Sequence, residues 1–134
     1  MLNPPATPTP TFDQLARVAI TVIATDPRPE VAKSSTDNLR HAFTSGAQVN
    51  GRDEQGRTLA HHLAFVVGTG RCSEPLGLEL LRILDLRCAS FLAPSQPERQ
   101  TALQICQQQA AISGHAPAAF ITQLDHLTRL QMPS

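Results

Sequence analysis

The sequence predicts an all-α protein: a stack of helix–turn–helix repeats, an α-solenoid with six main helices. Three observations lead there. Apolar residues recur at three- and four-residue steps in six stretches, the mark of helices with one greasy face. These stretches come in pairs, separated by extended turns rich in glycine and proline, and no run reads as a central strand. The apolar share is 41% but aromatics are only 4%, with no Trp or Tyr, so the core is aliphatic. Such a core favours closely packed helices over sheets, where aromatic and β-branched residues are enriched. A length of 134 residues suits one domain. It divides into a flexible Pro/Thr-rich tail at 1–11 and a repeat domain at 12–130.

The tail, with four prolines, three threonines and no charge, opposes helix because proline lacks the backbone donor. The first helix is expected at Phe12–Thr25, where Phe12, Leu15, Val18, Ala19, Val22 and Ile23 recur on one side. Thr11 and Gln14 can form a capping box at its start, and Asp26-Pro27-Arg28-Pro29 ends it. A second helix is expected over about 30–45, with a break near Ser34-Ser35 and its firmest part at Asp37–Thr44. There Leu39, Ala42 and Phe43 point inward, and Gly46 suits a left-handed C-terminal cap. Thr58 caps a third helix at Leu59–Val67. After a loop containing Gly68-Thr69-Gly70 and Ser73-Glu74-Pro75, a fourth helix fits Leu76–Leu86, with Leu76, Leu80, Leu81, Ile83 and Leu84 as its apolar stripe. A second turn-rich segment covers about Cys88–Gln100. Thr101 then caps a fifth helix to about Ile112, Ser113-Gly114-His115 turns the chain, and a sixth helix covers about Ala116–Leu130. Its inward residues are Phe120, Ile121, Leu124, Leu127 and Leu130, with Pro117 in its first turn.

The two turn-rich segments align with each other. Gly46-Ala47-Gln48-Val49-Asn50 pairs with Cys88-Ala89-Ser90-Phe91-Leu92, and each segment leads through a threonine into a helix, Thr58-Leu59-Ala60-His61 and Thr101-Ala102-Leu103. The first junction resembles the ankyrin repeat, whose boundary reads G-A-x-V-N-x-x-D-x-x-G-x-T-P-L-H. Gly46, Ala47, Val49, Asn50, Asp53, Gly56, Thr58 and His61 match it in spacing, while Leu59 stands for proline and Ala60 for leucine. The second junction is degenerate: Cys88 replaces the glycine, and Ser95-Gln96-Pro97-Glu98-Arg99 replaces the Asp-x-x-Gly turn. Gly114-His115 resembles the turn between ankyrin helices. Thr58 to Thr101 spans 43 positions, and the surplus over a repeat of about 33 residues is assigned to the loop Gly68–Gly77. The residue types fit the part. Gly46 takes positive φ at little steric cost, Asp53 and Gly56 favour a tight turn, and Ala47 and Ala64 permit close helix stacking. A single helix pair cannot hide its apolar face, so pairs stack, and about three make the smallest stable stack.

Eleven basic and eleven acidic residues give zero net charge and a pI near 7.0, and Lys33 is the one lysine. That composition lacks the basic footprint of a nucleic-acid binder. No run of about 18 apolar residues predicts a membrane span, and the uncharged N-terminus has no secretory signal pattern. A cytoplasmic location is expected, with export as an effector left open by the Pro/Thr-rich leader. The cysteines at 72, 88 and 106 form no C-x-x-C and read as free thiols, Cys88 and Cys106 in the core and Cys72 exposed in the inserted loop. Adjacent His61 and His62 point about 100° apart on a helix and do not share a metal. H-E-x-x-H is absent, and Gly68-Thr69-Gly70 lacks the rest of a phosphate loop. Asp53-Glu54 reads as a solvated turn. Gln104, Gln107, Gln108 and Gln109 give the fifth helix a polar face.

No catalytic residue, metal, cofactor or small-molecule substrate is therefore expected. The resemblance implies a protein–protein interaction module, with His61 as the structural histidine of the turn. It also implies that a partner protein meets the turn tips and inner helices. Those positions are Arg52, Glu54, Gln55, Arg57, His62, Phe65, Val66, Glu98, Gln100, Gln107 and Gln108, with Phe65 and the arginines as anchors. Adaptor, effector, inhibitor and immunity protein remain open as roles. The alternative is a small Cys/His-dependent hydrolase or transferase using Cys72 with His61 or His115.

Overall fold

The computed structural model describes residues 12–26, 28–52, 56–94, 99–114 and 117–132, with the side chains of Phe12 and Asp13 excepted. Those residues form six α-helices and no strand: α1 (Phe12–Thr25), α2 (Pro29–Thr44), α3 (Leu59–Gly68), α4 (Glu74–Leu86), α5 (Ala102–Ser113) and α6 (Ala118–Gln131). The all-α prediction with six helices holds. The 1–11 tail, the Thr11 cap, the Asp53–Gln55 turn and His115 lie outside the described residues. No described helix is long and apolar enough to cross a membrane.

Short connections join the members of each pair, and α1 packs on α2, α3 on α4 and α5 on α6. In addition α3 touches both α1 and α5, and α4 touches α6. Thus α3 is the central helix, and almost all of it is buried: Leu59, Ala60, His61, Leu63, Ala64, Val66, Val67 and Gly68. Only His62 and Phe65, three positions apart on one stripe, remain half-exposed along Leu59–Gly68. Glycine is required where α3 meets α5: a Cβ on Gly68 would lie 2.8 Å from the Cys106 carbonyl oxygen. On α4, a Cβ on Gly77 would meet Val67 at 2.7 Å and Phe120 at 3.3 Å. Both helices approach their neighbours at a distance only a glycine allows.

Several elements differ from the sequence expectation, each for a local reason. Helix α2 is unbroken through Ser34-Ser35. Ser35 and Thr36 face inward, and the Thr36 hydroxyl donates to the Ala32 carbonyl at 2.8 Å, so the buried hydroxyl is satisfied within the helix. Helix α4 begins at Glu74 and α3 runs on to Gly68, which shrinks the inserted loop to 69–73; Pro75 fits the first turn, where no donor is needed. Helix α6 starts at Ala118, with Pro117 just before it. Its open amides are met from α4: the Glu74 carboxylate accepts from Ala119 N at 3.1 Å and Phe120 N at 3.4 Å.

The inward stripe of α1 is Ala16, Ala19, Ile20 and Ile23, while Leu15 and Val18 are 40% and 55% exposed. Because α1 is apolar on two adjacent stripes, periodicity alone does not choose between them, and the smaller alanines admit the closer neighbour. In α6 the inward positions Phe120, Leu124 and Leu127 lead on to Gln131 rather than Leu130, which is 68% exposed. The Gln131 amide holds the preceding turn segment, accepting from Phe91 N at 2.6 Å and donating to the Ala89 carbonyl at 2.7 Å.

Cysteines also shift. Cys106 is in the core as expected, but Cys88 is exposed, with φ at 63° just beyond α4. It occupies the left-handed position that Gly46, with φ at 113°, fills after α2. Cys72 is buried, its thiol donating to the Ser73 carbonyl at 3.5 Å, so the exposed loop thiol is not found.

Candidate functional site

The site is built on the turn that enters α3. Thr58 is extended at the N-terminus of that helix (φ −91°, ψ 174°) and His61 folds back over it. The Thr58 backbone N–H donates to His61 Nδ1 at 3.0 Å, and the Thr58 hydroxyl lies 3.0 Å from the same nitrogen. With Nδ1 as the acceptor, the ring proton is on Nε2, which donates to the Ala93 carbonyl at 2.8 Å. The imidazole therefore ties its own turn to the next turn segment. Burial, the largest influence, pushes its pKa below the ordinary histidine value, and nearby Arg52 and His62 push the same way against hydrogen bonding to the backbone of Ala93 and Gln100. The lowered pKa favours the neutral ring, and both of its nitrogens are engaged.

Asn50 and Arg52 extend the tie. Asn50 Oδ1 accepts from Ser90 N at 2.7 Å, and Asn50 Nδ2 donates to the Cys88 carbonyl at 3.3 Å. Arg52 donates one guanidinium nitrogen to the carbonyls of Gly56 and Pro94, both at 2.7 Å. The fifth helix starts with its own reciprocal cap: Gln104 Oε1 accepts from Thr101 N at 2.9 Å, and the Thr101 hydroxyl accepts from Gln104 N at 3.3 Å.

These ties align α3 and α5 and leave a cleft of about 190 Å³ between them. Arg57, His61, His62, Phe65, Gln100, Ile105 and Gln109 line it. Four of the sequence-predicted residues, Arg57, His62, Phe65 and Gln100, are brought together here. Gln107 and Gln108 lie exposed along α5, and Gln108 accepts from the Gln100 amide at 2.8 Å. Arg52 sits on the turn itself. Val66 is a correction: it is 9% exposed and belongs to the core, because α3 is enclosed on every side except the His62/Phe65 stripe. Glu54, Gln55 and Glu98 lie outside the described residues. Ile105 and Gln109 are not among the expected partner positions, although Gln109 belongs to the polar face expected on the fifth helix. The i, i+4 spacing of Ile105 and Gln109 is the available signal, since it puts both on one stripe of the helix, away from Gln107.

Of the expected Cys/His pairings, His115 lies outside the described residues, and Cys72 and His61 are both buried. Burial raises the Cys72 thiol to a pKa of about 11, so it is protonated at pH 7, and both His61 ring nitrogens are occupied. Among the described residues no three His, Cys, Asp or Glu side chains converge as a metal site would. Comparison of the chain with protein-family models, with curated proteins and with solved structures gives no match.

Proposed function

We propose that this chain is a protein–protein interaction module, a divergent ankyrin-like stack of three helix pairs. It binds a partner protein on the face made by its turn segments and by α3 and α5. The observation that carries the reading is the α3–α5 cleft, where an arginine, a histidine, a phenylalanine and a glutamine from two successive units meet. Such a surface offers an aromatic and a guanidinium anchor beside adaptable amides, the composition that dominates binding energy at protein interfaces. The stack itself is supported by the packing of α3 on both α1 and α5, by α4 on α6, and by the Asn50 and His61 bonds between consecutive turn segments.

Affinity capture from the native cell tests the proposal, with the wild-type chain beside two variants. Arg57→Glu with Phe65→Ala removes both anchors, and Gln107→Glu changes an exposed position on α5. The expected result is a partner protein enriched on wild type and reduced about tenfold or more on the double variant, with the melting curve preserved on Gln107→Glu. Equal recovery of the same partner on all three chains removes the interface from this cleft.

A further inference from the structure

A second surface lies on the opposite helices. A groove runs along α4 beside α2 as two basins of about 770 Å³ and 670 Å³, which share Arg40 and Glu79 as a common wall. The Arg40–Glu79 ion pair, at 3.2 Å, crosses between the helices at that wall. The floor of the first basin is apolar: Ile23, Ala32, Leu76 and the buried Cys72 contribute to it. The second continues with Leu78, Ile83 and Leu86, and Leu86 is 71% exposed. On α4 the lining positions 76, 79, 83 and 86 are spaced three or four apart, so the groove follows one face through the whole helix. A helix of 13 residues is about 20 Å long. Each basin alone falls within the roughly 300–1,000 Å³ of small-molecule sites, but the two lie end to end along α4, an elongated shape that suits a helix.

The charges on this groove are not balanced in their availability. Its three carboxylates are already engaged: Asp26 with Arg28 at 2.7 Å, and Asp37 and Glu79 with Arg40 at 3.7 Å and 3.2 Å. Among the described residues, Lys33, Arg71 and Arg82 form no ion pair, and all three are exposed. The groove thus presents an apolar floor rimmed by uncommitted cations.

We infer that the groove between α2 and α4 docks an acidic amphipathic helix of a partner protein. Apolar residues at i, i+3/i+4 and i+7 of that helix cover the Leu76–Leu86 floor, and its carboxylates face Lys33, Arg71 and Arg82. This surface is separate from the α3–α5 cleft and stands or falls without it.

Selection from a phage-displayed library of random 16-residue peptides on the full chain tests the inference, with Lys33→Glu/Arg71→Glu/Arg82→Glu as the counter-target. The side chains replaced are exposed and unpaired, and a circular-dichroism melt checks that the variant folds; Lys33→Glu alone serves if the triple variant does not. The expected peptides are net acidic with helical spacing of apolar residues. By fluorescence anisotropy they bind the triple variant about tenfold or more weakly than wild type, or Lys33→Glu measurably less tightly, and wild-type affinity falls with added salt. Amide NMR shifts then centre on Ala32, Thr36 and Leu76. No enrichment, neutral or basic peptides, acidic peptides without the spacing, or affinity unchanged by charge reversal would each overturn the inference. Peptides whose shifts map to Phe65 and Gln109 overturn it too, while leaving the first interface standing.

Discussion

Replacing His61 with alanine isolates the bond that couples the start of α3 to the segment at 88–94. The side chain is 1% exposed and makes contacts at both ring nitrogens. On its loss the Thr58 N–H, in a residue that is itself 1% exposed, is left without its acceptor. A stranded buried donor costs about 1–3 kcal/mol. The Ala93 carbonyl is half-buried and regains water, so its share is about 0.5–1 kcal/mol. Removing the ring body from a packed position adds about 1 kcal/mol more. The sum is a destabilisation of about 2.5–5 kcal/mol, a large part of the roughly 5–15 kcal/mol that holds a domain together. Urea unfolding followed by helical circular dichroism reads it as a lower midpoint at unchanged slope. Thr58→Ala alone, and the double substitution, complete a cycle whose coupling is expected at about 1 kcal/mol because both residues share Nδ1. A loss below about 1 kcal/mol for His61→Ala, or strict additivity in the cycle, refutes the reasoning.

Three further outcomes follow from the same geometry. Because the folded pKa of His61 is depressed, the unfolded chain takes the proton first, so its stabilisation is present above about pH 6.5 and lost as pH falls through the lower folded value. Unfolding free energies at pH 7.5, 6.5 and 5.5 should show a decline that is shallower in His61→Gln; identical slopes would contradict the assignment. Cys88→Gly should raise stability by about 0.5–1 kcal/mol, since an exposed thiol is given up and the left-handed φ of 63° is relieved. A thermal melt that moves down, or does not move, removes the strain argument. With a thiol reagent at pH 8, Cys88 should react at once, and Cys72 and Cys106 only on unfolding, since burial raises both to about 11. Two or more fast thiols per folded chain would contradict the burial of Cys72 and Cys106.

The helices were legible because the signals that make them are local. Thr58, Thr101 and Gly46 mark ends through bonds or φ values within a few residues, and the apolar spacing marks faces. The misplacements arise where a distant residue decides. Nothing near Pro117 announces that Glu74 will cap the next helix, and nothing near Gln131 announces that its amide will hold Ala89 and Phe91. Phe91 is fully buried within a segment that reads as a turn. Its alignment with Val49 carried that information, because Val49 also packs on the core. At the site, Arg57, His62, Phe65 and Gln100 were legible from the turn and helix pattern. Val66 was not, because periodicity on α3 cannot say that three neighbouring helices leave only one stripe open.

The same accounting separates residues that hold the fold from residues free to meet a partner. Arg52 is among the expected partner positions, yet like Asn50 and His61 it already bridges to the segment at 88–94. A partner contacting Arg52 would compete with two carbonyls at 2.7 Å, so its gain there is reduced by the bonds it displaces. Phe65 and Gln107 carry no such bond. Under the proposed function, an interface that forms without loosening the helix packing would therefore concentrate its energy on Phe65 of α3 and Gln107 of α5. The turn tips instead set the angle at which those two helices are presented. Substitutions should then sort into two groups: those at Asn50, Thr58 and His61 lower stability first and binding only through it, and those at Phe65 and Gln107 change binding while the unfolding midpoint stays in place.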